Sequence, residues 1–375
     1  GQKYVHNDAC YPAILVIGQL INAVQAGKYD PHKVALVITQ TGGGCRASNY
    51  IHLLRKALEK AGLEFIPVIS VNLSGLESNP GFKLGLGLLR KEISAIIYGD
   101  LILNVANQVR PYELTAGDTD AAVQRCMVFL LHDMDSGKGM TFKSMNANFD
   151  RIIAAFRAIP VSPEKKVRVG IVGEIYVKYA PLGNNNLADF LLSEGAEPVI
   201  PGVMDFIIFK VNNREVDVDI YGGKWIKERF CHWLQTYLMK YQHAMIDALK
   251  RGGFRAPGDF NELHGYIKGY LGDGNKMGEG WLLTAEMLEL IHTGVPNIVC
   301  TQPFGCLPNH IVGKGMIRKI KDDYPWSNIV AIDYDPGATK INQENRIKLM
   351  LANARALAAE QNKEAETDDH PSPVA

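Results

Sequence analysis

The feature that most restricts how this chain can fold is a short apolar run, Val34-Ala-Leu-Val-Ile-Thr39, that ends in Gly42-Gly-Gly44 and leads into a helical pattern. Such a run, rich in β-branched residues and without alternation, reads as a strand buried on both faces, as in a parallel sheet. Ile51, Leu54, Leu58 and Ala61 then recur at the spacing of one helical face, with Gly62 near the helix end. Phe65-Ile-Pro-Val-Ile69 follows as the next strand signal, so the segment predicts a βαβ unit with a right-handed crossover.

The pattern returns further on. Residues from about 82 to 158 are mainly helical in pattern: Leu84 to Val105, then Ala121 to His132 and Ser144 to Ala158. Ile159-Pro-Val-Ser-Pro163 with Glu164-Lys-Lys166 reads as a linker, because two prolines and a charge cluster interrupt helical sequence. A strand from Val167 to Val172, a polar turn at Gly183 to Asn186, a helix from Leu187 to Glu194 and a strand at Pro198 to Ile200 repeat the alternation. Helical patterns at Lys224 to Lys250 and Asn261 to Leu271 come next. Strands at Asn297 to Thr301 and Ile329 to Ile332 and a helix from Lys340 to Ala359 follow. The expectation is an α/β chain of two Rossmann-like lobes, parallel sheets flanked by helices, with a cleft between them. The lobes are placed at 1–160, with a helical insertion, and at 165–360, before a disordered tail at 361–375.

Bulk properties exclude several classes. At 375 residues the chain is long for one core. Its 47% hydrophobic and 21% charged residues are ordinary for a globular protein. Lys plus Arg equals Asp plus Glu at 40 each, and no basic stripe carries interleaved aromatics, so nucleic acid is not an expected partner. No apolar run reaches the roughly 18 residues of a spanning helix, and no leader pattern opens the chain, so it reads as cytoplasmic and off the membrane. A start at Gly1 instead of Met reads as a piece of a longer polypeptide. Six cysteines spread from position 10 to 306 make no disulfide framework, and packing, metal or redox roles are the better reading.

Three of these cysteines stand at loop-to-helix junctions. Cys45 follows the triple glycine, Cys306 lies in Gln302-Pro-Phe-Gly-Cys-Leu-Pro-Asn-His310 after a strand, and Cys10 precedes Tyr11-Pro12, with proline suited to a first helical turn. At such places backbone N–H groups lower a thiol pKa and favour thiolate. Ligands in open α/β sheets collect at the carboxyl ends of strands, so the three thiols are expected to meet. Free core thiols remain the plain alternative. No Cys-x-x-Cys pattern is present, so spacing does not name a metal, and structural zinc is a further reading. Cys126, Cys231 and Cys300 lie within predicted helices or a strand and read as structural, with Cys300 the nearest exception.

Other candidates are weaker. Gly43 and Gly44 would bring backbone amides to a cofactor or phosphate, although the loop matches neither G-x-G-x-x-G nor the P-loop. Gly272-Asp-Gly-Asn-Lys-Met-Gly-Glu-Gly-Trp281 is either a gate or anion site using Lys276, or a surface turn. Asp333 and Asp335 offer metal or acid–base chemistry, or simply a turn and helix cap, with Asn342, Asn345 and Arg346 facing them. His310 would donate to a cluster sulfur or cap its helix. Glu174 and Tyr176 are further cleft candidates.

Five segments carry a resemblance: Asn7-Asp-Ala-Cys-Tyr-Pro12, Thr39 to Asn49, Gly278-Glu-Gly-Trp281, Gln302 to His310, and Asp333 to Gly337 with Asn345 to Met350. Through them the chain resembles the carboxy-terminal, dehydratase-like part of the large 2-hydroxyacyl-CoA dehydratase activase-related proteins, within the 2-hydroxyglutaryl-CoA dehydratase superfamily. The resemblance implies Rossmann-like lobes and a [4Fe-4S] cluster on Cys10, Cys45 and Cys306 with one open iron site. It also implies anaerobic electron transfer from an ATP-hydrolysing activase, a partner whose ATP-binding motif this chain lacks. A small-molecule substrate, such as an acyl-CoA, would take the electron. The family's subunits work in pairs, so a homodimer fits, and a bridged double cubane would need more thiols than are expected to converge. The competing expectation is a non-catalytic module that binds a nucleotide or acyl-CoA in the same cleft.

Overall fold

The computed structural model describes residues 1–72, 77, 79 and 85–368, and only the helical backbone over 361–368. The chain starts with α1 (Tyr11–Gln25), whose first turn holds Pro12, then β1 (Leu36–Thr39), α2 (Tyr50–Lys60) and β2 (Val68–Val71). β1 and β2 pair in parallel, Leu36 opposite Val68 and Thr39 opposite Val71, as the βαβ reading requires. Ile51, Leu54 and Leu58 of α2 are buried against Ile14, Ile17 and Ile21 of α1 and Ile38 of β1 in one apolar cluster that spans Val5 to Ile66.

Three long helices follow: α3 (Leu86–Val109), α4 (Asp118–Asp135) and α5 (Phe142–Arg157), the last started by a reciprocal Thr141–Ser144 capping box. After the irregular segment at 159–167 come β3 (Arg168–Gly173), the short helices α6 (Ile175–Tyr179) and α7 (Pro181–Asn184), α8 (Leu187–Ser193) and β4 (Glu197–Val199). Then α9 (Met204–Tyr221), α10 (Trp225–Arg251), α11 (Phe260–Gly265) and α12 (Leu282–His292) lead to β5 (Asn297–Pro303). α13 (Ile317–Asp323), β6 (Asn328–Tyr334) and α14 (Lys340–Asp368) complete the described chain.

Strands β3 to β6 form a second parallel sheet in the order β4-β3-β5-β6. Apolar clusters cover both of its faces: Val169 and Ile171 pack with Leu351 of α14 and Leu191 of α8, while Val172 and Ile298 pack with Met287 and Leu288 of α12. The fold is therefore α/β, with two parallel sheets flanked by helices.

Several expectations require correction. The helix α9 has no counterpart in the sequence pattern, because its polar and apolar residues are too evenly spread to make a stripe. Asn261 to Leu271 is helical only as far as Gly265, after which Tyr266 to Tyr270 form turns. Helices α3 to α5 pack with later helices: Phe149, Ile152 and Leu101 share one core with Phe209, Leu249 and Trp281 from α9, α10 and the start of α12. That core crosses the expected lobe boundary at 160–165. The expected tail at 361–375 begins as a continuation of α14 through Asp368, since nothing helix-breaking precedes His370-Pro371, and 369–375 lie outside the described residues. Leu84, expected to begin the long helix of the first half, is also outside them.

Candidate metal centre: a thiol-lined cavity

The order of the second sheet locates a crevice. From β3 the chain crosses to β4 on one side and later returns to β5 on the other, so the carboxyl ends of β3 and β5 mark a topological switch point, where α/β sheets hold their ligands. Glu174 directly follows β3, and Phe304-Gly-Cys306 directly follows β5. The loop after β1, with Thr41, Cys45 and Tyr50, and the start of α1, with Cys10 and Pro12, close around the same space.

The result is one cavity of about 360 Å³ lined by Cys10, Cys45 and Cys306 together with Glu174, Tyr176 and Glu279. Residues 296 positions apart in sequence thus share a wall, since 306 − 10 = 296. Most of the remaining lining is apolar, including Val16, Ile38, Phe206 and Pro308. Cys10 and Cys306 are buried, and Cys45 is partly exposed.

Each sulfur receives a backbone hydrogen bond from a helical start, from the N–H groups of Ala13, Ala47 and Asn309 for Cys10, Cys45 and Cys306 respectively. These donors do lower the thiol pKa values, but the expected thiolate does not result. Burial outweighs them and raises all three: Cys45 to about 11, Cys10 and Cys306 also upward, the last further by the charges of Glu279 and Glu174. Thiols are therefore the resting form at neutral pH even with Arg46 and Lys210 nearby, and a metal bound in the cavity would be what holds them as thiolates. The Cys10 sulfur also lies 2.9 Å from the Tyr50 hydroxyl, whose own pKa is driven up by burial and by Cys10.

Two glycines set the walls. Gly305 has φ +70°, and a Cβ there would stand 3.0 Å from Cys10 Cα. Gly278 has φ +61°, and a Cβ would stand 3.0 Å from Pro308 Cγ and 3.6 Å from Cys45 Sγ. Both loops approach the thiols as closely as only glycine permits.

Two carboxyl groups form the floor. Glu174 caps α6, its Oε2 accepting from Val177 N at 2.8 Å, and Glu279 Oε1 accepts from Ile175 N at 3.0 Å. Burial first, and then the charge of Glu279, push Glu174 up to about 8. Lys210 donates to the carbonyl of Gly278 and lies over the rings of Phe206 and Phe209, at 4.9 and 5.1 Å. Burial lowers its pKa, against the raising influence of Glu279 and Cys45.

Other expected positions lie elsewhere. Gly43 and Gly44 do not line the cavity: Gly44 N donates to Met277 Sδ at 3.2 Å, and the thioether covers Gly43. His310 is exposed and outside the cavity; its N–H bonds Cys306 O at 3.1 Å, and its ring faces the Gln302 amide. Lys276 is buried on Asp217 and therefore closed to an outside anion, although Gly278 and Glu279 of the same loop reach the cavity. Asp335 accepts from Gly337 N at 2.6 Å as a turn residue, and Asp333 pairs with Lys314 and Arg346. Cys126, Cys231 and Cys300 are buried away from the cavity.

Glu279, Tyr50 and Lys210 are site residues that the sequence pattern does not single out. Glu279 had a signal, a carboxylate between two glycines before an apolar helix, whereas Tyr50 and Lys210 sit in helices like many others.

Whether this cavity suits a metal group follows from its donors. A single zinc needs its thiolates at about 2.3 Å from one point. Among the described residues no three His, Cys, Asp or Glu side chains form a group that would hold one ion. Three thiols on one cavity are soft donors of the kind that zinc and iron–sulfur groups both take.

Scans against models of protein families, against curated proteins and against solved structures returned no match to this chain.

Proposed function

We propose that Cys10, Cys45 and Cys306 hold a [4Fe-4S] cluster and that the chain is the electron-accepting, reductase component of an ATP-activated, 2-hydroxyacyl-CoA dehydratase-like system. In this reading the two parallel sheets are the centres of two Rossmann-like lobes, and the cavity is the cleft between them. A separate ATP-hydrolysing activase supplies the electron, a small molecule such as an acyl-CoA receives it, and the setting is an anaerobic cytoplasm.

The observation that carries the reading is the sharing of one largely apolar cavity by three thiols from distant parts of the chain, each with a backbone N–H donor. When bound, the cluster would supply one-electron reduction at an iron that has no protein thiolate. The chain's own residues supply the rest. Val16, Ile38, Phe206 and Pro308 give the cavity an apolar lining around the buried Cys10 and Cys306, and low polarity strengthens the remaining electrostatics. Glu174, held protonated near neutral pH by burial and by Glu279, is placed to donate a proton within the cavity. Tyr50 orients the Cys10 sulfur.

Anaerobic reconstitution of the full chain with iron and sulfide tests this. The expected outcome is about four irons and four sulfides per chain with a brown charge-transfer absorbance, lost when Cys10, Cys45 and Cys306 are replaced by Ser. Iron and sulfide well below one cluster per chain would sink the proposal. If the triple Ser variant kept full binding of a nucleotide or acyl-CoA, the cavity would instead be a non-catalytic binding site.

A further inference from the structure

Helix α12 is buried from Leu282 to Ile291, and it carries two carboxyl groups inside that burial, Glu286 and Glu289. A buried carboxylate costs several kcal/mol unless it is paired and fully hydrogen-bonded. Glu286 Oε1 is 2.7 Å from Lys178 Nζ, both side chains being within 5% of complete burial, but Glu286 Oε2 has no hydrogen-bond partner among the described residues. That orphaned oxygen is the feature an ordinary structural ion pair leaves unexplained.

Its surroundings are continuous in both directions. Inward, Lys178, Glu279 and Glu286 line one narrow void, and Glu279 also forms the floor of the thiol cavity. Outward, Glu289 lies three residues further on the same helical face, its Oε1 accepting from Gly258 N at 2.8 Å. A Cβ on Gly258 would stand 3.2 Å from Glu289 Oε1 and 2.7 Å from Oε2 of Glu262, which is exposed on α11. Facing these groups from neighbouring elements are Asp100 on α3 and Asp205 on α9, both buried, and Cys300 on β5.

We propose that Glu262, Glu289, the Lys178–Glu286 pair and Glu279 form a proton path from the surface of α11 to the floor of the thiol cavity. At each hop an O–H bond breaks on one carboxyl group and forms on the next. The outer group is refilled from solvent, so the net change is one proton taken up at Glu262 and one delivered at Glu279. No electron moves in these steps. The void between Glu279 and Glu286 is too narrow to admit a water molecule, so this hop needs a rotation of one of the two side chains. Glu286 Oε2, free of any bond, is the acceptor for the incoming proton. The path takes its purpose from the reading that chemistry occurs in the cavity, where a proton would balance each arriving electron.

Infrared hydrogen–deuterium exchange on the full, metal-free chain tests this, so failure to form a cluster and failure of the path are separate results. The protonated-carboxyl band is assigned with Glu289→Gln and the thiol S–H band with Cys306→Ser. Glu262→Gln, on the surface and harmless to the core, is expected to slow deuteration of both bands at least tenfold. Glu286→Gln is expected to slow only the thiol band by a similar factor, with the Glu289 band unchanged. Equal thiol exchange in wild type and Glu262→Gln overturns the path, whatever the behaviour of Glu286→Gln. So does the lack of any exchangeable protonated carboxyl on α12 at neutral pH, the result a purely structural ion pair gives.

Discussion

Cys10, Cys45 and Cys306 show how weakly a helix start governs a thiol once it is buried. A helix dipole is worth about 1 kcal/mol near the surface, whereas taking a thiolate out of water costs more, and in this cavity the second effect wins. Cysteine alkylation of the metal-free chain at neutral pH should accordingly be slow at all three positions, and it should rise steeply only as the pH approaches about 11 at Cys45. Rapid labelling of Cys45 at pH 7 would contradict that. Gly305 has an equally local role: with φ +70° and Cys10 Cα in the way of any Cβ, Gly305→Ala is expected to cost about 1–2 kcal/mol from backbone conformation alone, with contact strain added. A denaturant titration showing no loss of stability would refute it.

Helix α12 is where packing and chemistry meet. Its Met287, Leu288 and Leu290 fill the space under the second sheet, and the same helix holds Glu286 against Lys178. Removing one partner leaves an uncompensated buried charge, so Glu286→Ala should destabilise the chain by about 3–5 kcal/mol. The double change Lys178→Met with Glu286→Leu should be far milder, because no charge is then buried alone. Equal losses in the single and double variants, measured by chemical unfolding, would show that the pair itself matters little.

Across the whole molecule, buried acids set how stability depends on pH. Burial raises Asp100 to about 6 and Glu289 to about 7, above their values of about 4 in an unfolded chain. The folded chain therefore holds protons that the unfolded chain has released, and stability from these groups is full below pH 4 and lost as pH rises through 6 and 7. Each group contributes up to about 1.4 kcal/mol per pH unit within its window. Unfolding free energy should decline from pH 5 to pH 8, and Glu289→Gln should flatten the upper part of the decline. A profile that is flat or rising over that range would be inconsistent with buried neutral carboxyls.

Much of this architecture is legible in the chain itself. Val34 to Thr39 with its glycine triplet, the Val167 strand and the Asn297 strand each carry a local signal of apolar run and turn, and local signals survive without knowledge of the fold. The same holds for the placing of Cys10, Cys45 and Cys306 at the ends of such elements. Three things were settled only in three dimensions: that α3 to α5 pack with α9 to α12 across the Pro160 linker, that Gly44 faces Met277 instead of a cofactor site, and that Glu279 and Glu286 lie in line behind the thiols. The reason is physical. Strand and helix formation depend on neighbours a few residues away, while burial, and with it every pKa and every shared wall, depends on residues up to hundreds of positions apart.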